Sequence, residues 1–245
     1  MLVNGVNFKL RRYPRGAGLA RGRPFGQHIV MALSRAPRLW DISQTLRPGL
    51  PVWPGDTAFS PRRRWSMSDG SPVNVGSFET TVHAGAHADA PLHYRADGSS
   101  AAEVPLDAYV GACRLVDARA CGQSITRAFV EKAVREPPPR VLFRTYEAFP
   151  HDQWSSDFAC VEAAAIAYLA DLGVRLIGID SPSLDPQGSK TMDAHLAVLA
   201  ADMRVLEGLV LDDAPSGDYE LIALPLKLAG LDASPVRAVL REIIA

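Results

Sequence analysis

The sequence predicts an α/β fold: a single domain built on a mixed β-sheet or small barrel with flanking helices. Three observations carry that prediction. Short apolar and β-branched runs of strand length recur along the chain and alternate with a few helical segments. The 245 residues are 47% hydrophobic, enough for one sizeable core. No Ser/Gly-rich linker divides residues 38–245, so that span is expected to fold as one unit.

Residues 1–37 are expected to lie outside the fold, as a disordered or mis-assigned extension. Residues 1–30 hold Lys9, Arg11, Arg12, Arg15, Arg21 and Arg23, no acid and no periodicity. Met31 is a candidate natural start, and the folded body is expected to begin near Arg38. Arg11-Arg12 has the look of a twin-arginine signal, but Pro14, Gly16, Gly18, Gly22 and Pro24 leave no apolar signal core behind it. His28, within this basic leader, is read as solvated.

Along the body, Leu39-Trp40-Asp41-Ile42 reads as a short strand. Pro48, Pro51, Pro54 and Gly55 make a loop that holds Trp53. Residues 73–82 are rich in Val, Thr and Phe and read as a strand running into a histidine cluster. Cys113 to Ala118 reads as a further strand. Ser124 is the expected N-cap of a helix through Val134, terminated by Pro137-Pro138-Pro139. Val141 to Thr145 is a strand, and Val161 to Leu172 is an alanine-rich helix closed by Gly173. Val174 to Asp180 reads as a buried strand, and Asp193 to Ala201 as a short helix. Tyr219 to Leu228 reads as a strand with Pro225 as an edge or bulge marker. Periodicity leaves Pro235 to Ile244 open between strand and helix.

Composition excludes several classes. Net charge is -1, and with the cations of residues 1–30 set aside the body is acidic, which argues against nucleic acid as a partner. No apolar run reaches the ~18 residues of a membrane span. Cys113, Cys121 and Cys160 are odd in number and lack CxxC spacing, which fits a reducing cytoplasm better than a disulfide framework. There are no internal repeats and no Gly-rich phosphate loop after a strand.

The chemistry concentrates in His83-Ala84-Gly85-Ala86-His87-Ala88-Asp89-Ala90-Pro91-Leu92-His93. Imidazole and carboxylate are ligands that divalent metals such as zinc or manganese prefer. All four polar positions are odd-numbered, so an ideal strand would place them on one face, whereas Pro91 and Gly85 oppose a helix. An extended or looped segment with converging side chains is expected, packed tightly through its alanines. Separate, unrelated hydrogen bonds explain a lone histidine but not this density. Three close ligands leave a position for water, the arrangement of a catalytic site. Bound water can have its pKa lowered to about 7, which suits hydrolysis. His151 has loop neighbours and reads as a surface residue. His195 sits on a short helix among carboxylates, and Glu207 follows Val205-Leu206. Taken alone, each also fits an ordinary solvated residue.

The pattern H-x-G-x-H-x-D-x-P-x-H, here His83 to His93, resembles the signature of the cyclase-like metal hydrolases. Trp53-Pro54-Gly55-Asp56, Gly178 to Ser183, Lys190 to His195 and Leu206-Glu207-Gly208-Leu209 match as well. Leu39 to Ser43, Pro51 to Asp56 and the ending Leu221 to Leu240 are similar to the bacterial kynurenine formamidase (arylformamidase) branch of that family. The resemblance implies a swivelling β/β/α fold, a homodimer, and hydrolysis of N-formyl-L-kynurenine to L-kynurenine and formate in tryptophan degradation. It also implies two divalent metal ions, zinc or else manganese. His83, His87 and Asp89 would bind the first, Asp89 would bridge to the second, and His195 and Glu207 would complete it. His93 would be the acid/base residue, and Trp53 would contact the substrate ring. Ala84 and Ala86 stand where many members have threonine, which removes hydroxyls that could orient the ligands.

Three rivals remain. A cyclic amide hydrolase of the isatin type would use the same metal core. A non-haem iron oxygenase would use His87, Asp89 and His195 as a facial triad, leaving His83, His93 and Glu207 idle. A non-catalytic module would bind metal and turn nothing over.

Overall fold

The computed structural model describes residues 35–244, so the expectations on the leader, with His28 and Met31, lie outside the described residues. In chain order the elements are β1 (Leu39–Asp41), β2 (Ser60–Trp65), β3 (Val75–Glu79), β4 (His87–Asp89), β5 (Val110–Asp117), β6 (Ser124–Ile125) and α1 (Arg127–Ala133). There follow β7 (Arg140–Arg144), β8 (Cys160–Val161), α2 (Ala163–Asp171), β9 (Leu176–Ile179), α3 (Asp193–Ala200), β10 (Arg204–Glu207), β11 (Gly217–Ile222), β12 (Ala233–Pro235) and β13 (Val239–Glu242).

Nine of these strands form one mixed sheet in the order β1-β13-β11-β5-β7-β9-β10-β4-β12. The centre, β5-β7-β9-β10, is parallel, and antiparallel strands flank it on both sides. This is the mixed-sheet form of the expected α/β domain. Parallel neighbours need long crossovers, and α1 to α3 supply them. Pro37–Ala245 forms one compact unit.

The central strands are apolar on both faces because both faces are covered. Along β7, Val141 and Phe143 point to the layer containing Val130 of α1, Ile166 and Leu169 of α2 and Val198 of α3. Leu142 points the other way, into a second core with Ile42, Leu115, Leu221 and Leu240. The same alternation in β10 sends Leu206 to the second core and Val205 to the helical layer.

Several boundaries differ from expectation. Residues 73–82 do not run as a strand into the histidine cluster. β3 stops at Glu79 and pairs with β2 in a separate two-stranded hairpin, and turns occupy the following residues. Every residue of β2 and β3 is exposed, so neither strand carries the in/out alternation that marks a half-buried strand. The α1 N-cap is Thr126, whose hydroxyl accepts from the Phe129 amide at 3.1 Å. Ser124 is drawn instead into the short β6–β8 ladder, opposite Cys160. β11 ends at Ile222, before Pro225, and the open C-terminal segment is extended, as β12 and β13.

Candidate active site

The register of three strands builds the centre of the site. β4 lies between β10 and β12, with His87 opposite Glu207 and Asp89 opposite Val205. Directly opposed residues share a face, and residues two apart along a strand share one too. His87, Asp89 and Glu207 therefore point to the helical side, where Val205 also points. α3 packs on that side and presents His195 from its first turn. His83 enters from the turn before β4, and His93 closes a short 3-10 turn opened by Pro91. The alanines at 84, 86, 88 and 90 are all buried, so the backbone packs closely behind these side chains.

The five metal-holding residues and the acid/base residue implied by the resemblance lie together here. His83 Nδ1 lies 3.1 Å from Asp89 Oδ1, and His87 Nε2 lies 3.5 Å from the same oxygen. His195 Nε2 is 3.4 Å from Asp89 Oδ2 and 3.3 Å from Glu207 Oε1. Glu207 Oε2 is 3.5 Å from His87 Nε2. Asp89, His195 and Glu207 are 1%, 1% and 3% exposed, so the expected fallback of His195 and Glu207 as solvated residues does not hold. The donor sets His83–His87–Asp89 and Asp89–His93–His195 are each compact enough for one cation, all their ligand atoms lying within 4.8 Å of one another.

The donor set fits divalent cations on an independent ground. Both oxygens of Asp89 and Nε2 of His195 are buried without a hydrogen-bond partner. Burying such groups unpaired costs several kcal/mol, and folded proteins tolerate it where a cation completes them. The other edges of these ligands are already satisfied. His87 Nδ1 donates to the Gly85 carbonyl at 2.9 Å, and His195 Nδ1 to Asp185 at 2.6 Å. Glu207 Oε1 accepts from the Leu184 amide at 2.7 Å. Each imidazole is thus turned so that its free nitrogen faces Asp89.

The electrostatics agree. Burial works against the imidazolium of His195, yet the facing carboxylates of Asp185, Asp89 and Glu207 outweigh it and raise its pKa to about 12. His83 is likewise opposed by burial but lifted to about 9 by Asp89 and Asp232. Burial favours a neutral Asp89 carboxyl, and His195 and His83 overcome it and hold the group well below the usual range. The carboxylates of Asp89, Asp185, Glu207 and Asp232 face these imidazoles and favour positive charge between them.

Two residues in this arrangement escaped sequence reasoning. Asp185 accepts from His195 Nδ1 and from the backbone amides of Ala194 and His195, so it both orients the ligand and caps α3. That capping is needed because Met192 at the N-cap is left-handed (φ 52°) and offers no side-chain cap. Asp232, just before β12, contacts His83 Nε2 at 3.0 Å and His93 Nδ1 at 3.1 Å. Each is a lone acid in a loop, and nothing in its neighbours signals the role.

The cluster opens into a cavity of about 490 Å³. Trp53 lines it and stands edge-on to Trp154 at 5.3 Å and to Phe158 at 6.4 Å. Tyr146 and Phe149 add to the aromatic wall. Asp180 supports that wall by accepting from the Thr145 and Tyr146 amides. His151 sits in an exposed turn outside the cluster, as expected. The arrangement suits cation-assisted attack on a small planar amide held against aromatic rings.

Residues 40–186 match the family model described as putative cyclase. The chain belongs to this family. One family relative, from Erythrobacter litoralis, is named kynurenine formamidase and is 57% identical over 206 residues, 84% of this chain and 94% of the relative. A solved structure described as a predicted metal-dependent hydrolase, from Bacillus stearothermophilus, superposes with TM-score 0.74 at 30% identity, covering 85% of this chain and all (100%) of its own. Isatin hydrolase A from Labrenzia aggregata shares the fold, with TM-score 0.72 at 24% identity over 84% of this chain and 94% of its own.

Proposed function

We propose that the chain is a kynurenine formamidase, hydrolysing N-formyl-L-kynurenine to L-kynurenine and formate. The observation that carries the reading is Asp89, a buried carboxylate with both oxygens unpartnered, ringed by imidazoles at the foot of an aromatic cavity. The choice of this amide over a cyclic one follows the 57% identical relative, against the 24% of the isatin hydrolase.

His83, His87 and Asp89 would hold one divalent cation, and Asp89, His195 and Glu207 would hold a second. The preferred ion is zinc, with manganese as the alternative. Bound there, such ions supply Lewis-acid polarisation of a carbonyl oxygen and water of lowered pKa. His93 does not hold metal in this reading. It takes a proton from the attacking water and returns it to the aryl nitrogen as the C–N bond breaks, since an anilide anion is a poor leaving group. Trp53, with Trp154 beside it, contacts the aromatic ring of the substrate and excludes water from its face.

The chain is further proposed to be a cytoplasmic homodimer. All three cysteines are free, as in a reducing compartment. Among the described residues no helix is long and apolar enough to cross a membrane. The β2–β3 hairpin exposes Trp65 (60%) and Phe78 (62%), an apolar surface that a second copy would cover. Mass measurement by light scattering tests the dimer, and a monomer refutes it.

The test of function is a spectroscopic assay of N-formylkynurenine hydrolysis, with and without chelator. Chelator-sensitive release of formate, restored by zinc or manganese, is expected. Metal binding without turnover would reduce the protein to a non-catalytic module, and preferential turnover of a cyclic amide would transfer it to the isatin-type activity.

A further inference from the structure

We infer that Asp232 is a positioning residue that sets the tautomers of His83 and His93 together, aligning a metal-holding imidazole and the proton-carrying imidazole through one carboxylate oxygen. The inference rests on the roles proposed above for those two histidines.

The geometry is specific. Asp232 Oδ2 lies 3.0 Å from His83 Nε2 and 3.1 Å from His93 Nδ1. An ionised carboxylate has no proton to give, so both contacts require the proton on the imidazole nitrogen. With a cation held between His83 and Asp89, His83 is then Nε2–H, and its Nδ1 lone pair, 3.1 Å from Asp89, would be the one offered to that cation. His93 is Nδ1–H, which leaves Nε2 free for proton transfer. The two rings lie 4.3 Å apart, centroid to centroid, and His93 faces His195 at 5.9 Å. Without Asp232 each imidazole is free to take the other tautomer, in which His83 presents N–H to Asp89 and His93 arrives already protonated at Nε2. Both alternatives disable the site.

The carboxylate is held rigidly enough for this task. The Asp232 carbonyl accepts from the Ala90 amide at 2.8 Å, and the Leu231 carbonyl accepts from Ala101 at 2.8 Å. Ala233 follows at once in β12, in register with Asp89 of β4. The carboxylate that orients the histidines therefore directly precedes the strand that pairs with the one carrying Asp89. Here the orienting group of a nucleophile–base–acid arrangement is shared with a metal ligand rather than dedicated to the proton carrier.

The test uses the zinc-loaded protein and Asp232→Asn, with three readouts: bound zinc per chain, long-range proton–nitrogen NMR of the imidazoles, and kcat and KM on N-formylkynurenine. In the unaltered protein His93 is expected as a single Nδ1–H tautomer. In Asp232→Asn KM is expected to stay unchanged, and zinc is expected to bind roughly 10–100-fold more weakly while still filling the protein at saturating zinc. The His93 signal should become a mixture of tautomers, and kcat should fall by roughly 10²–10⁴-fold, the usual contribution of a positioned acid/base. Asp232→Glu, which keeps the carboxylate, is expected to recover a single tautomer and part of kcat. An Nε2–H tautomer of His93 in the unaltered protein overturns the inference, whatever the variants do. So do an unchanged His93 signal or an unchanged kcat in zinc-saturated Asp232→Asn, and a zinc ion that saturating zinc cannot restore there would make Asp232 a metal-holding group instead. Failure of the unaltered protein to release formate would sink the proposed function, while the NMR result would still decide the role of Asp232.

Discussion

Gly208→Ala should damage the metal centre without touching any ligand. Gly208 follows Glu207 directly and is left-handed, with φ +63°. A Cβ added there would lie 2.5 Å from the Gly85 carbonyl oxygen and 3.1 Å from its carbon. That oxygen is the acceptor that orients His87 through Nδ1. The left-handed conformation costs an alanine about 1–2 kcal/mol. Relieving a backbone contact roughly 1 Å too short is an overpacking event of about 1–3 kcal/mol. The alanine recovers about 0.4–1 kcal/mol by restricting the unfolded chain. The balance is a loss of roughly 1–4.6 kcal/mol, or about 2–18 °C in Tm at ~2–4 °C per kcal/mol for a domain of this size. Relief requires either Gly85 or Gly208 to move, and so disturbs His87 or Glu207. Calorimetry on metal-free protein gives the stability change, and competition with a chromophoric chelator gives metal affinity. A Tm within a degree of the parent, together with unchanged affinity, would refute the claim that this glycine contact sets the ligand geometry.

His93→Ala should keep its metal and lose about 10²–10⁴ in kcat, whereas metal loss on elemental analysis would make His93 a ligand. Asp89→Ala should lose both cations, and one cation per chain remaining after dialysis would argue against the bridging role. Asp185→Asn replaces an acceptor of His195 Nδ1, Ala194 N and His195 N by a group that cannot satisfy all three. It should weaken metal binding by roughly 10–100-fold, and wild-type affinity in the same titration would show that Asp185 merely caps α3. Trp53→Ala removes a ring contact of about 0.5–1.5 kcal/mol, so KM should rise by roughly 2–12-fold with kcat little changed, and a flat KM would exclude the contact.

Much of the fold was legible because burial on both faces leaves a plain signature. The apolar runs that became β5, β7 and β9, and the alanine-rich α2 closed by Gly173 at φ +86°, needed no partner to be recognised. The β2–β3 hairpin lacked that signature. Its residues face solvent on both sides, and Arg62-Arg63-Arg64 interrupts any alternation. Ser124 and Thr126 are both plausible caps by chemistry, and only the pairing of β6 with β8 decided between them.

The amino-acid order alone determined the ligand chemistry. His83, His87, Asp89 and His93 lie within one short segment, so a single stretch of chain supplies three imidazoles and a carboxylate. Tertiary structure decided everything that had to arrive from elsewhere. His195 and Glu207 join the cluster because α3 crosses the helical face and β10 pairs with β4 in the register that sets Glu207 against His87. Asp185 and Asp232 join because a loop and the start of β12 fold back onto the same imidazoles. A carboxylate's role depends on which unpaired donors it meets, and that meeting is made by strand register and helix packing across long separations in the chain, where local composition carries no trace of it.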